Sequence, residues 1–299
     1  MVNLLKKKIS RKYYNYAFAY TLIFPGLIAV IIFIAKPAYD TFVLSFSKFF
    51  FGRNLGFIGF KNFETIFSEQ LFITVLKNSI IWLFVGSLLS ILLGLFIALY
   101  IAQENKLSLL TRSIILIPWI LPDVLTAITW KWMLNSKFGV INDILLRLSI
   151  FENPYTFLGD PDTVIYTLVF IVVWRKVPLV ALFLCAAIRS VPIEYYEAAK
   201  IDGANSFQKF IHITLRHIAF SITAITCIVL IWISSEFGLP WVATKGGPMD
   251  SSHIISTYIY QNAFEHLRWG VSSAASVVNI IILCILIISY LFVNKKTLK

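Results

Sequence analysis

The chain has 299 residues, of which 59% are hydrophobic and 14% charged. A soluble domain carries about 25% charged residues, so composition excludes an ordinary water-soluble fold and points to a chain solvated by lipid. The net charge of +11 would suit nucleic acid on a soluble protein, but in a membrane chain lysine and arginine hold loops in the cytoplasm, so no nucleic-acid partner is expected.

A spanning helix needs about 20 mostly apolar residues. Six stretches qualify, at about 14–35, 78–102, 113–131, 163–188, 218–236 and 269–293. They predict an all-α polytopic membrane protein with six transmembrane helices and a single domain over 1–299. Pro118 and Pro122 fall inside the third span and should kink or break it, because each lacks a backbone donor. A membrane helix tolerates that only where neighbours or cavity water satisfy the freed carbonyls. The first apolar run is long and no small-residue cleavage site follows it, so no cleavable signal peptide is expected.

Loop charges set the orientation. With the N-terminus inside, residues 1–12, 104–112, 189–217 and 295–299 are cytoplasmic and hold 14 lysines and arginines in 55 residues. The opposite loops, 36–77, 131–162 and 236–268, hold 10 in 107 residues. The density is more than twice as high on the first side, which predicts cytoplasmic N- and C-termini. Lys6, Lys7 and Lys8 read as an orientation anchor at the lipid surface. The glycine and aromatic mixture from Asn54 to Phe67 is expected on the outer membrane face. Cys185, Cys227 and Cys284 lie in apolar runs without a CxxC pair and read as small hydrophobes. The four histidines form no metal-ligand pattern.

Loop 189–217 carries the most local information. Pro192 suits a first helical turn, and Glu194 complements the dipole there. Ala198 and Ala199 are strong helix formers of minimal bulk. Gly203 can take a positive φ and end the helix. Asn205 can cap a second helix, with Gln208 three residues on to bond back. Phe207, Phe210, Ile211 and Thr214 share one face of that helix. Two short helices with a bend at Asp202-Gly203 result. On spacing alone they are an amphipathic pair lying on the membrane, the commoner case, or a smooth surface for another protein.

The run Glu197-Ala198-Ala199-Lys200-Ile201-Asp202-Gly203-Ala204, followed by Phe210 and Ile213-Thr214-Leu215, closely resembles the EAA loop of ABC importer permeases. Other motifs extend the likeness over almost the whole chain: Phe60-Lys61-Asn62-Phe63, then Arg112, Pro118 and Trp130, then Gly139, Asn142 and Trp174, then Thr244-Lys245-Gly246-Gly247-Pro248, and Tyr258 to Phe264. Together they resemble the carbohydrate-uptake branch, of the maltose, glycerol-phosphate and trehalose type. The resemblance implies the type I ABC importer permease fold in a bacterial plasma membrane. It implies a second permease, two ATPase subunits and an extracytoplasmic sugar-binding protein as partners. It also implies that the loop docks into the ATPase. Glu197 would face that subunit, Ala198 and Ala199 would form the close-packing surface, Gly203 would make the bend, and Asp202 and Phe207 belong to the same coupling set. Family members usually have proline after the loop's leucine. Here it is Arg216, so the second helix is expected to run directly into the fifth span.

No GxxxxGK[ST] stretch exists, so no phosphate-cradling loop is present. The chain is expected not to be an enzyme and to bind no cofactor, with ATP and Mg on the partner ATPase. Candidates for the substrate path are Trp174, Arg175, Lys176, Glu236 and Asn279. Arg175 and Lys176 lie in the fourth span, where charge is costly and functional or paired. They either pair with Asp123 or Glu236 or snorkel to the interface, or one of them contacts an anionic sugar. Adjacent helical positions point about 100° apart, so the two are not expected to face one cavity. The alternative is an ion-coupled secondary sugar transporter. It would require coupling residues in the spans and usually an internal repeat; few acidic residues lie in the spans, and the halves show no repeat.

Overall fold

The computed structural model describes residue 16 and residues 18–50, 53–103 and 106–294. The Lys6–Lys8 cluster and residues 295–299 lie outside the described residues. Five helices are long and apolar enough to cross a membrane, or six if one sharply bent pair is counted as a span. The six-span expectation holds on length and composition.

The first span, α1, is Phe18–Ser45. It widens to a π-turn over Ile31–Ala35, just before Pro37. Proline cannot donate to an α-ladder, and a wider turn is where such a defect is absorbed. A short antiparallel hairpin follows, β1 (Ser47–Phe50) and β2 (Arg53–Phe57), with Ser47 opposite Phe57 and Phe50 opposite Arg53. Among the described residues this hairpin is the one departure from the all-α expectation. Phenylalanine favours an extended backbone, and β2 is exposed along its whole length, with Phe57 uncovered. Helix α2 (Lys61–Ser68) then carries Asn62, whose buried amide donates to the carbonyls of Ser45 and Ser47 at 2.9 and 3.0 Å. That fastens the hairpin to the end of α1.

Helix α3 (Gln70–Ile101) starts eight residues before the apolar run at 78. Gly86, Ser90, Gly94 and Ala98 recur every four residues and are all buried. In a membrane, where apolar contact with lipid is as good as contact with protein, such small-residue stripes let helices approach closely. The partner is the fourth span: a Cβ placed on Gly94 would lie 2.4 Å from Val180 Cγ1.

The third span is broken. Helices α4 (Lys106–Ile114) and α5 (Ile117–Ile120) lead into α6 (Asp123–Met133), and the axis turns by 97° at the break. Leu121 is extended, as the residue before a proline prefers, and Pro122 is the N-cap of α6. After α7 (Val140–Arg147), Asn142 clamps the following loop: its amide donates to Leu134, Asn135 and Tyr155 carbonyls and its oxygen accepts from Tyr155 N–H.

The fourth span, α8 (Val164–Arg189), is the most buried of the crossings. It ends near the C-terminus of α3, where Arg112 donates to Ile101 and Gln103 carbonyls and Arg189 to Ala102. Helix ends leave their last carbonyls unpaired, and cations there also meet the negative end of the dipole. Helix α9 (Ile193–Ile201) and the long α10 (Ser206–Ser234) follow. Trp82 Nε1 donates 2.9 Å to Ile233 O, joining α3 to α10 at the core. Helices α11 (Gly238–Thr244) and α12 (Ile255–Tyr260) precede the last span, α13 (Trp269–Asn294).

The loop between α11 and α12 contains the Thr244-to-Pro248 motif. Lys245 and Gly246 both have positive φ. The ring of His253 occupies the space a Gly246 side chain would need, 2.1 Å from an ideal Cβ. Asn78 of α3 holds the loop by donating to Ser251 and His253 carbonyls at 2.8 and 3.1 Å. Much of the surface outside this core is apolar: α1 buries none of its most apolar window. Apolar surface on that scale requires a non-aqueous neighbour.

Candidate functional site

Two regions collect the residues singled out by sequence. The first is the hairpin between the fourth and fifth spans. Pro192 is the N-cap of α9, one position before the expected first turn, and Glu194 sits in that turn. At the other end Asp202 is the C-cap and Gly203 has φ +76°. Gly203 N–H bonds to Lys200 O at 3.2 Å and Ala204 N–H to Ala199 O at 2.9 Å, the paired closure of a Schellman motif. Asn205 then caps α10 reciprocally: its side chain accepts from Gln208 N–H at 2.9 Å, and Gln208 Oε1 accepts from Asn205 N–H at 2.8 Å. The expected bend is therefore built from local bonds alone.

A π-turn over Phe210–Leu215 continues without interruption through Arg216 into the span. The direct run-in expected from the missing proline is what the helix does. The same π-turn changes the predicted face. Thr214 is buried and Phe210 half-buried, but Phe207 is 69% exposed and Ile211 is also exposed. One extra residue per turn shifts the register, so the residues before the π-turn no longer share the buried face of those after it. Tyr196 Oη meets Thr214 Oγ1 at 2.9 Å and braces α9 against α10. Glu197, Ala198, Asp202 and Gly203 are exposed, Ala199 half-buried. Ile193, Ile201 and Phe207 add uncovered apolar surface. A recess of about 320 Å³ on the inside of the bend is lined by Ala199, Asp202, Gly203, Ala204 and Gln208 among others.

The second region lies at the broken span. Arg175 and Lys176 do face one cavity, against the expectation from their 100° offset. Lys176 Nζ reaches Glu236 Oε2 at 2.7 Å, and Arg175 Nη1 reaches Glu236 Oε1 at 3.2 Å. Arg175 Nη2 also pairs with Asp123. The offset describes Cα–Cβ directions, and two long side chains converge beyond it. Glu236 follows the end of α10 and its side chain is 3% exposed. Arg175 Nε donates to Leu121 O, the carbonyl freed by the proline break, at 3.3 Å. Asp123 stands in the first turn of α6, favourably for the helix dipole. These four charged groups, with Trp119, Trp232 and Ser235, line a cavity of about 270 Å³.

Trp174 and Asn279 do not line that cavity. Trp174 packs edge-on against Trp130, and Asn279 Oδ1 accepts from Ser234 Oγ at 3.3 Å. Trp119 and Trp232 were not singled out by sequence. The only signal for Trp119 is its place between the two prolines. Among the described residues no group of three or more His, Cys, Asp or Glu side chains could hold a metal ion.

Six crossings, a third span broken at proline and a two-helix hairpin before the fifth define the permease fold of an ABC importer. The chain matches, with a TM-score of 0.82 and 24% identity over 99% of both chains, the crystal structure of a bacterial ABC transporter involved in the import of the acidic polysaccharide alginate. That likeness carries the fold. By sequence the chain belongs to the family described as binding-protein-dependent transport system inner membrane component, whose model matches residues 90–298. It is 31% identical over 296 residues, 99% of each chain, to the trehalose/maltose transport system permease protein MalF of Thermococcus litoralis. It is 30% identical over 246 residues, 82% of this chain and 78% of the relative, to the sulfoquinovosyl glycerol transport system permease protein SmoG of Agrobacterium fabrum. The chain is thus a multi-pass inner-membrane permease of a binding-protein-dependent importer, and its family transports rather than catalyses.

Proposed function

We propose that the chain is one of two membrane-spanning subunits of an ATP-driven saccharide importer in a bacterial inner membrane, with both termini cytoplasmic. Relatives named for trehalose, maltose and diacetylchitobiose support a saccharide substrate. The observation that carries the coupling role is the hairpin itself. It is held rigid by its Schellman closure, its capping box and the Tyr196–Thr214 bond, yet it leaves Glu197, Ala198, Ile201 and Phe207 uncovered. A rigid element with an exposed apolar and acidic face transmits force from whatever docks on it.

On this reading Glu197 faces a separate ATPase subunit, Ala198 and Ala199 allow close approach, and Asp202 and Gly203 fix the bend. Phe207 supplies the apolar knob. ATP and Mg bind the two ATPase subunits, and an external binding protein delivers the sugar to the two permeases. Closure of the ATPase pair pulls on the hairpin and switches the cavity at Arg175 and Glu236 between the two membrane faces. The test is co-purification of this chain from its native membrane, followed by vesicle uptake assays with Glu197→Lys. An ATPase subunit should come with the wild-type chain. The variant should assemble yet lose uptake stimulated by the binding protein. Full uptake by Glu197→Lys would sink the docking role.

A further inference from the structure

We propose that the cavity between the broken third span, α8 and the turn from α10 to α11 is a subsite for an uncharged sugar ring, and that Glu236 sets this preference. The inference rests on the saccharide-importer reading and adds the charge of the substrate to it.

The four ionised side chains in the cavity wall balance, Arg175 and Lys176 against Asp123 and Glu236. Both cations are already engaged. Arg175 bonds to both carboxylates and to Leu121 O, and Lys176 bonds to Glu236. Glu236 holds both cations while its side chain is 3% exposed. An anionic sugar could bind Arg175 or Lys176 only by adding a third negative charge to a balanced set or by displacing a carboxylate already there, and a buried carboxylate stripped of its partner is strongly disfavoured. An uncharged sugar needs no exchange of partners. Its hydroxyls can donate to Asp123, whose side chain is 38% exposed, and accept from the remaining protons of the Lys176 ammonium.

The aromatic groups fit the same ligand. Trp119 and Trp232 line the cavity and are 41% and 37% exposed, large for tryptophans beside buried charges. Their flat faces carry negative quadrupole charge. They suit the weakly positive C–H face of a pyranose and repel a carboxylate laid over them. Lys176 Nζ already stands 6.0 Å from the Trp232 ring centroid. The cavity of about 270 Å³ equals roughly nine water volumes, space for one ring. Among the solved and curated relatives both charge classes occur, from acidic alginate to trehalose and maltose, so kinship alone does not choose between them.

The test uses the whole importer in cells deleted for this chain and complemented with wild type, Glu236→Gln, or the double variant Lys176→Gln, Glu236→Gln. Probes are radiolabelled trehalose, maltose, cellobiose and diacetylchitobiose as neutral sugars, and dimannuronate and trehalose 6-phosphate as anions. Wild type should take up at least one neutral probe and neither anion. Glu236→Gln leaves one cation unbalanced and should lower neutral uptake at least about tenfold. The double variant restores charge balance but loses the Lys176 donors, so it should recover neutral uptake in part, to at least about threefold above Glu236→Gln, as expected when the two side chains are coupled. Its recovery also separates charge balance from misfolding. Wild-type uptake of an anionic probe in preference to the neutral ones would overturn the assignment and leave the importer reading intact. So would a double variant as poor as Glu236→Gln. Uptake of no sugar at all would overturn both.

Discussion

Replacing Gly203 by asparagine, alanine and valine in turn perturbs the backbone of the hairpin and little else. The φ of Gly203 is +76°, and a Cβ built there meets nothing within 4 Å. Any loss is therefore strain and not collision. A left-handed conformation costs an ordinary L residue about 1–2 kcal/mol. Asparagine adopts it more readily, and a β-branched residue least readily. One to two kcal/mol changes the population of the bend by about 5–30-fold. The bonds at risk are Gly203 N–H to Lys200 O and Ala204 N–H to Ala199 O. The core among α3, α8 and α10 lies elsewhere, so the complex should assemble at wild-type yield. Uptake into proteoliposomes, measured beside ATP hydrolysis, should fall in the order asparagine, alanine, valine, with valine down about 5–30-fold and hydrolysis no longer tied to transport. A valine variant with normal coupling would refute the reasoning. Equal losses for asparagine and valine would also refute it, because they would indicate side-chain contact and not strain.

Gly94→Val should drive a branched side chain into Val180, 2.4 Å from the new Cβ. The expected cost is about 1–3 kcal/mol, read as a lower thermal midpoint in detergent; an unchanged midpoint would show that α3 and α8 do not meet there. Asn78→Ala removes the donor to Ser251 and His253 carbonyls and should cost about 1–3 kcal/mol. Limited proteolysis should then cut the segment between the fifth and sixth spans faster, and an unaltered cleavage rate would dismiss Asn78 as its clamp. Burial pushes the His253 pKa below its ordinary 6.5, against the smaller opposing pull of Asp250 and Glu265. The unfolded chain therefore binds that proton more readily. Stability from this residue is present above about pH 6.5 and is lost as pH falls below it. His253→Gln should flatten that limb in a thermal-shift series from about pH 7.5 to about pH 5.5 (about one pKa unit either side of the ordinary value), and an unchanged slope would assign it to other groups.

What was legible in the sequence was local or compositional. Spans show as apolar runs because lipid tolerates little else over 20 residues. The break at Pro122, the positive φ of Gly203 and the cap of Asn205 by Gln208 each depend on a few neighbouring residues, and each stands where local chemistry puts it. Longer-range features were legible only in part. The cost of charge in a span predicts that Arg175 and Lys176 pair with Asp123 or Glu236, and they do, but the convergence of both on one cavity, with Glu236 60 positions from Lys176, is invisible in the spacing. The exposure of Phe207 escaped because a π-turn is set by how the helix seats in the bundle. The β1–β2 hairpin escaped because its phenylalanines read equally well as a strip lying on the membrane.

The placement of Arg175 follows from the proline break. Pro122 forces Leu121 into an extended conformation, which strips its carbonyl of a helical donor. Within the apolar layer an unpaired carbonyl has no water to turn to. Arg175 Nε supplies the missing bond, and doing so fixes the plane of its guanidinium. The remaining nitrogens then point at Asp123, which begins the second half of the broken span, and at Glu236, which follows the fifth. Lysine has no such fork: it offers one compact charge and could not satisfy carbonyl and both carboxylates together. Arginine at 175 and lysine at 176 are therefore not two copies of one positive charge. The first repairs the backbone defect and orients the cavity wall, while the second neutralises Glu236.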